Sequence, residues 1–156
     1  MRLYSVNPFT GASKMLIKES VPKFVKEEVM ENSIVGKKYI LMPSDRDGYM
    51  HLYLYDMNGK LIRQVEKGKY DVTEIYGMDE KTGNVYFQAA MINPHDRQVY
   101  VAHKNGKVER LTDAEGSNAA NFSGDFRYFV NTWSSYSHPQ VFTVRSNKGK
   151  VIKMLE

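Results

Sequence analysis

Four short segments of the chain alternate between apolar and polar residues around an aromatic side chain. They lie at 2–7, 51–56, 98–103 and 140–145, and successive segments begin 49, 47 and 42 residues apart. Strict alternation indicates β-strands, because successive side chains of a strand point to opposite faces. A period in the forties is typical of a four-stranded propeller blade, which occupies roughly 40–45 residues.

A glycine turn and a second alternating run follow each of these segments. The glycines are Gly11, Gly59, Gly106 and Gly149, and the second runs lie at 14–17, 61–65, 108–111 and 151–155. At Asn58-Gly59 and Asn105-Gly106 both residues tolerate the positive φ of a type I′ turn, which favours a tight hairpin. Each pair of runs is therefore predicted to form the third and fourth strands of a blade.

The first and second strands of each blade are expected upstream of these hairpins. We predict second strands at 38–42, 84–88 and 127–131, and first strands at 72–76 and 119–123. A weaker first-strand candidate at 24–29 could equally form a helical turn. The first repeat has neither strand, so the chain begins in the middle of a blade. We expect Met1 to lie within a longer parent, or to have been added to one.

The predicted fold is all-β: a partial β-propeller of about three and a half blades, each a four-stranded antiparallel sheet. The whole of 1–156 is one propeller fragment, divided into a half blade at 1–19 and blades at 20–68, 69–115 and 116–156. Tyr53, Tyr100 and Phe142 occupy equivalent places and are read as sharing one register. Because inner blades pack on both faces, we expect all three rings in the core.

Composition mainly excludes classes of function. The chain has no cysteine, which rules out disulfides and thiolate chemistry. Its net charge is +4, but lysine and arginine are interleaved with acidic residues along the chain, so we predict no nucleic-acid face. No apolar run approaches the roughly 20 residues of a membrane-spanning helix. The basic residues of the fourth strands recur once per blade, as suits outer strands that resist edge pairing.

Several stretches resemble the dipeptidyl peptidase IV family of prolyl oligopeptidase-type serine peptidases, in the later part of their N-terminal propeller. The stretches are 44–56 (SDRDGYMHLYLYD), 69–74, 79–87, 116–123 and 128–130. The resemblance keeps its order over nearly the whole chain and is weakest at 20–37.

The resemblance implies a parent that removes Xaa-Pro or Xaa-Ala dipeptides from peptide N-termini. In that family an eight-bladed propeller caps an α/β-hydrolase domain and restricts access to its active site. This chain resembles the last blades and would end just before the hydrolase domain. Bacterial relatives of this kind are periplasmic or exported, so the same compartment is implied here.

No catalytic or cofactor-binding residue is predicted in this chain. Serine hydrolysis of the α/β-hydrolase type needs a Gly-x-Ser-x-Gly elbow, which is absent from the sequence. The resembled family anchors the substrate amine with a Glu-Glu pair, and Glu27-Glu28 matches it in residue type. The accompanying aromatic residues are missing and the family's pair belongs to an earlier blade, so we expect a solvated edge at this position.

No metal site is predicted either. Asp45-Arg46-Asp47-Gly48 resembles the opening of a calcium loop but lacks the later ligands. We expect a tight connection in which Asp side chains bond nearby backbone N–H groups and Gly48 supplies positive φ. Asp96-Arg97 recurs in the equivalent loop of the next repeat, which supports a structural role. The histidines are expected to be structural or exposed, with two at strand ends (His51, His103) and two in loops (His95, His138).

The leading functional prediction is a non-catalytic propeller portion of a dipeptidyl peptidase IV-like serine peptidase, which gates access to a hydrolase domain and supports it. Its partners would be that domain and, through the parent, peptide substrates. One alternative is a free-standing propeller that binds proteins or carbohydrates, and another is a repeat array that oligomerises. We also expect the isolated chain to associate through its uncovered first and last sheets.

Overall fold

A computed structural model describes residues 2–19, 32–112 and 115–155, and every regular element among them is a β-strand. The strands are β1 (Arg2–Val6), β2 (Ser13–Lys18), β3 (Ile34–Val35), β4 (Tyr39–Ser44), β5 (His51–Asp56), β6 (Leu61–Gln64), β7 (Val72–Asp79), β8 (Asn84–Ala89), β9 (Gln98–Ala102), β10 (Val108–Arg110), β11 (Ser117–Phe122), β12 (Tyr128–Ser135), β13 (His138–Ser146) and β14 (Val151–Leu155). They form one two-stranded sheet, β1–β2, and three four-stranded sheets, β3–β6, β7–β10 and β11–β14. Every sheet is antiparallel and follows chain order, which confirms the predicted all-β class.

The repeated hairpins form where the glycine turns predict them. The backbone N–H groups of Gly59, Gly106 and Gly149 each close a turn onto the carbonyl three residues earlier, at 2.9–3.0 Å. Two details differ from expectation. The first strand of the second sheet is Ile34–Val35, whereas the candidate at 24–29 lies outside the described residues. His138 begins β13 and does not lie in a loop, because the β12–β13 hairpin extends further than predicted.

The chain divides into two compact units, 1–67 and 68–156. In the first unit, Ile17 of β2 packs against Ile40 and Met42 of β4 and the rings of Tyr53 and Tyr55 of β5. All six residues of β4 are buried, as are the first five of β5, so this hairpin is the centre of the unit. Burial of the residues on both faces explains why the two strands read as nearly continuous hydrophobic runs.

In the second unit, two sheets pack face to face through an aromatic core. Tyr86, Val99 and Val101 of the β7–β10 sheet contact Phe129 of the β11–β14 sheet. Ring centroids lie 4.7 Å apart for Tyr86 and Phe122, and 4.8 Å apart for Phe122 and Phe129. Strands β8 and β9 are buried along almost their whole length. Burial of such large rings is the main apolar contribution to this unit.

The expected core position of Phe142 is wrong. Tyr53 and Tyr100 are 4% exposed, but Phe142 is 38% exposed. The first two rings precede their turn glycines by six residues and Phe142 precedes Gly149 by seven. Because side chains alternate along a strand, this offset places Phe142 on the opposite face of its sheet. Thr143, which is six residues before Gly149, takes the buried position and is 7% exposed.

The first and last sheets expose many apolar side chains. On the β1–β2 hairpin these are Tyr4, Val6, Phe9 and Met15, and on the β11–β14 sheet they are Tyr128, Phe142, Val151, Ile152 and Met154. Phe9, in the β1–β2 turn, is 94% exposed. Exposed apolar area of this extent is typical of surfaces that meet another protein surface.

Candidate functional site

The start of β5 contains the most deeply buried histidine–carboxylate pair among the described residues. His51 is 1% exposed, and its Nδ1 lies 2.7 Å from Oε2 of Glu66. The other oxygen of Glu66 accepts the backbone N–H of Leu52 at 2.9 Å. Asp47 Oδ2 lies 3.9 Å from His51 Nε2 and accepts Gln64 Nε2 at 2.8 Å. Both carboxylate oxygens of Glu66 are therefore occupied by fixed donors, as burial of a charge requires.

Arg46 forms a second polar cluster on the connection between β4 and β5. Its guanidinium pairs with Glu19, donates to the hydroxyl of Tyr55 at 2.6 Å, and lies 4.0 Å above the centroid of the Tyr53 ring. The hydroxyl of Ser44 donates to Glu19 at 2.6 Å. Burial, with help from Asp47, raises the pKa of Tyr53 to about 12. Burial also raises the pKa of Tyr55, although Arg46 opposes that shift. Both phenols are thus neutral at ordinary pH, and that of Tyr55 accepts the hydrogen bond from Arg46.

The predicted tight connection at 45–48 is present, with a different polar partner. The N–H of Gly48 donates to the carbonyl of Asp45 at 2.9 Å, and Gly48 has φ of +100°. The hydroxyl of Ser44, rather than an Asp side chain, accepts the backbone N–H of Arg46 at 3.3 Å. Asp47 points across the sheet to Gln64. The side chains of this loop therefore hold neighbouring strands together.

The remaining histidines lie apart from one another and take local partners. His103 Nδ1 lies 3.1 Å from Asn84 Oδ1, and its Nε2 lies 3.2 Å from Glu109. His138 Nδ1 lies within hydrogen-bonding distance of the hydroxyls of Ser135 and Ser137. His95 lies in the loop before β9. Over the part of the chain that the structure describes, no three His, Asp or Glu side chains form a group able to hold a metal ion.

The Glu27-Glu28 pair lies outside the described residues. Within 2–19, 32–112 and 115–155, no helix is long and apolar enough to cross a bilayer.

A seam of uncharged amides and hydroxyls joins the two sheets of the second unit. Asn118 is at its centre. Its main-chain oxygen accepts a hydrogen bond from Gln88 Nε2 at 2.7 Å, and its side-chain Nδ2 donates to Gln98 Oε1 at 3.1 Å. Its side-chain Oδ1 accepts a hydrogen bond from Asn131 Nδ2 at 3.0 Å. Thr112 adds a bond to Gln98 at 2.7 Å. Gln88, Asn118 and Asn131 are at most 8% exposed. We call this set the amide seam; it fixes how one sheet lies on the other.

Beside the amide seam, a cleft of about 460 Å³ opens at the tip of the β12–β13 hairpin. Trp133, Tyr136 and His138 line it from the hairpin, and Asp96 and Glu115 line it from the opposite side. The indole N–H of Trp133 donates to the main-chain oxygen of Glu115 at 2.6 Å, and its ring lies 5.4 Å from that of His138. The volume is within the range of small-ligand sites, which runs from about 300 to 1,000 Å³.

Sequence reasoning missed this cleft. The available signal was the single tryptophan followed within five residues by Tyr136 and His138, in a segment that also contains Ser135 and Ser137. The acidic side of the cleft comes from Glu115 and Asp96, which lie 18 and 37 positions before Trp133 in the sequence. Only the pairing of β11 with β12, which sets Asn118 opposite Trp133, brings the two sides together.

Comparison with known proteins finds one matching family model, described as the dipeptidyl peptidase IV N-terminal region, over residues 1–140. Among curated proteins, the chain is 30% identical to "Dipeptidyl peptidase 4" of Arthroderma otae over 125 residues, which covers 77% of this chain and 16% of that protein. It is also 30% identical to the protein of the same name from Trichophyton rubrum, over 70% of this chain and 14% of that protein.

A solved structure, that of Porphyromonas gingivalis dipeptidyl peptidase 4, superimposes on 99% of this chain with a TM-score of 0.95 and 32% sequence identity. The match covers 22% of that protein, so the chain spans about a fifth of its length. The predicted partial β-propeller is confirmed by this likeness.

Proposed function

The chain belongs to the dipeptidyl peptidase IV family, through the N-terminal region of those proteins, and on that premise we propose that it is a non-catalytic propeller portion of a serine dipeptidyl peptidase. The parent would remove Xaa-Pro or Xaa-Ala dipeptides from peptide N-termini. This portion would shape the channel to the active site and support a hydrolase domain supplied elsewhere in the parent chain.

The family match over 1–140 is the observation that carries this proposal. The matched relatives are dipeptidyl peptidases, and the chain corresponds to 14–22% of their length. Serine hydrolysis needs a hydroxyl, an imidazole and an orienting acid in mutual contact. The sequence contains no Gly-x-Ser-x-Gly elbow to supply such a hydroxyl.

The sheets provide the units of that support. We assign the half blade to 1–19 and the successive blades to 20–68, 69–115 and 116–156, each centred on one of the observed sheets. Buried polar networks are rigid when every member is satisfied, and the Glu66 and Arg46 clusters meet that description closely. A stiff wall suits a scaffold that holds a second domain. By family likeness the parent is exported, in bacteria to the periplasm.

The activity assay uses Gly-Pro-anilide with two proteins from the same source: this 156-residue chain and the complete parent. We expect turnover by the parent and none above buffer by this chain at equal molarity. Turnover that co-purifies with this chain through two different columns would contradict the non-catalytic assignment. An inactive but folded parent would contradict the peptidase assignment.

The alternative is a free-standing propeller that binds a protein or carbohydrate, and the exposed cleft beside Trp133 favours it as a second candidate. The coding sequence beyond Glu156 discriminates between the two. A Gly-x-Ser-x-Gly elbow followed by Asp and His supports the peptidase, and a stop codon or further propeller repeats alone supports the free-standing protein.

A further inference from the structure

We propose that the cleft between the β12–β13 hairpin tip and residues 96 and 115 binds the guanidinium group of an arginine side chain on a partner peptide or protein segment. This inference is independent of the peptidase assignment, because it rests on the chemistry of the cleft alone.

Two of the rings on the aromatic side of the cleft, those of Trp133 and His138, are held in place before any ligand arrives. The indole N–H of Trp133 is fixed on the Glu115 carbonyl at 2.6 Å, which sets the orientation of the ring. His138 packs against the indole with an interplanar angle of 37°, and the Ser135 and Ser137 hydroxyls lie 3.1 and 3.0 Å from its Nδ1. Tyr136 is fully exposed at the tip. A fixed aromatic surface costs little ordering entropy on binding.

The opposite side of the cleft is negatively charged, although the chain as a whole is basic. Asp96 accepts the N–H of Gly116 at 2.9 Å and the amide of Asn93 at 2.6 Å, so its fixed partners are neutral donors. Neighbouring Arg97 donates to the main-chain oxygens of Pro94 and Asp96 rather than to that carboxylate. Glu115 is exposed. No lysine or arginine lines the cleft among the residues that the structure describes.

A partly exposed tryptophan that lines a cleft beside an unneutralised carboxylate is the combination that an arginine side chain recognises. The planar guanidinium stacks on aromatic faces and donates two parallel hydrogen bonds to one carboxylate. Here the Glu115 carbonyl contacts the edge of the indole, so the Glu115 side chain begins beside the stacking surface. Asp96, held by Gly116 and Asn93, contributes its charge without moving. A neutral sugar could stack on the rings and donate its hydroxyls to the carboxylates, but it carries no positive charge to balance them.

Trp133 is the only tryptophan in the chain, so its fluorescence reports directly on the cleft. We would titrate the 156-residue chain with N-acetyl-arginine methylamide at low ionic strength. The matched ligand is N-acetyl-citrulline methylamide, which has nearly the same shape but a neutral urea in place of the guanidinium. We expect saturable change in Trp133 emission with the arginine compound, at least about fivefold weaker binding of the citrulline compound, and weakening with added salt.

Protein variants distinguish the contribution of the carboxylate to binding from that of the aromatic rings. Glu115→Gln keeps the shape of the side chain and should weaken binding about tenfold, because the charge-assisted bonds are lost. Tyr136→Ala should weaken binding about threefold. Glu109→Gln removes the same charge from β10, outside the cleft, and should leave affinity within about twofold. Unchanged far-ultraviolet circular dichroism and thermal midpoints of the unliganded variants show that the fold is intact.

Several results would overturn the proposal. Absence of saturation with the arginine compound, equal binding of the citrulline compound, or an unchanged affinity in Glu115→Gln would each do so. A saturable response to a neutral saccharide in place of arginine would assign the cleft to carbohydrate and overturn it as well.

Discussion

Glu66 shows how a single residue makes the centre of the first unit possible. A carboxylate with no exposed surface is stable only when fixed donors replace its water. His51 supplies one of those donors and the backbone of Leu52 the other. Since His51 is also the first residue of β5, the pair ties the chain segment after β6 to the start of the neighbouring strand.

Glu66→Ala should therefore lower the free energy of unfolding by about 3 kcal/mol, because it leaves the His51 ring and the Leu52 N–H buried without their partner. Glu109→Ala removes an exposed carboxylate and should change it by less than about 0.5 kcal/mol. Urea denaturation followed by circular dichroism measures both. Equal midpoints for the two variants would show that the buried pair contributes little.

The sequence predicts the place of His51 but not its partner. His51 begins an alternating segment that is recognisable by eye, and it does begin β5. Glu66 follows 15 residues later, and the pairing of β5 with β6 shifts by a bulge between Leu54 and Tyr55. An irregularity of this kind changes which residues face each other, and the alternation of apolar and polar residues does not predict it. The Phe142 error has the same origin, a one-residue offset within an otherwise regular repeat.

At the scale of elements, the glycine turns do more than reverse the chain. Gly59 has φ of +82°, and a Cβ at this position would lie 2.0 Å from the carbonyl oxygen of Leu16. Gly106 lies in the same tripeptide, Asn-Gly-Lys, and has φ of +87°, but a Cβ at this position would have no atom within 4 Å. The two positions share a backbone conformation and differ only in what surrounds them.

Alanine substitutions at these two glycines distinguish the cost of a steric clash from the cost of backbone strain. Gly106→Ala should cost about 1 kcal/mol, the usual penalty for an L-residue in the left-handed region. Gly59→Ala adds a clash with rigid backbone and should cost about 3 kcal/mol. Thermal unfolding of the two variants gives the comparison. A smaller loss for Gly59→Ala than for Gly106→Ala would mean that the turn does not press against β2.

Two phenylalanines of the last sheet separate buried from exposed aromatic surface. Phe129 is 2% exposed in the core of the second unit, and Phe142 is 38% exposed on the other face. Phe129→Ala should destabilise this unit by about 3–4 kcal/mol, and Phe142→Ala by about 1 kcal/mol or less. Urea titration followed by Trp133 emission reports this unit specifically. Similar losses would place both rings in equivalent surroundings.

The elements themselves were largely predictable because each repeat carries its own turn signal. Hairpins β5–β6, β9–β10 and β13–β14 form around Gly59, Gly106 and Gly149. Strand β3 was not predictable, since two residues are too few to show alternation. The cleft was not predictable either, because Glu115 and Trp133 meet only through strand pairing and neither stands in a recognised motif.

At the scale of the whole chain, the apolar surface of the first and last sheets is the dominant unexplained feature. Met154 is 67% exposed and Ile152 is 53% exposed on the outer strand β14, and Phe9 is 94% exposed in the first turn. In a longer parent, further blades would cover such faces. In isolation, they are available to a second copy of the chain.

We therefore predict that the isolated chain associates reversibly as its concentration rises. Light scattering between about 10 and 300 µM should show a mass above that of the 18.0 kDa monomer. The double variant Ile152→Lys with Met154→Lys should shift association to higher concentration, and Lys104→Glu with Lys107→Glu serves as a surface control outside this patch. A strictly monomeric mass over the whole range would contradict the prediction.

The amide seam has a mechanical consequence for the second unit. Contacts between apolar rings have little direction, so two sheets joined by them alone could slide by a fraction of a residue at small cost. Asn131 Nδ2 donates to Asn118 Oδ1 within one sheet and so fixes that side chain. Two hydrogen bonds then cross between the sheets, from Gln88 Nε2 to the main-chain oxygen of Asn118 and from Asn118 Nδ2 to Gln98 Oε1, and both are satisfied in one alignment only. Under a sideways load the sheets must break these bonds together before they can slip. The two sheets should therefore transmit force as a single stiff body until these hydrogen bonds break, and should then slip abruptly.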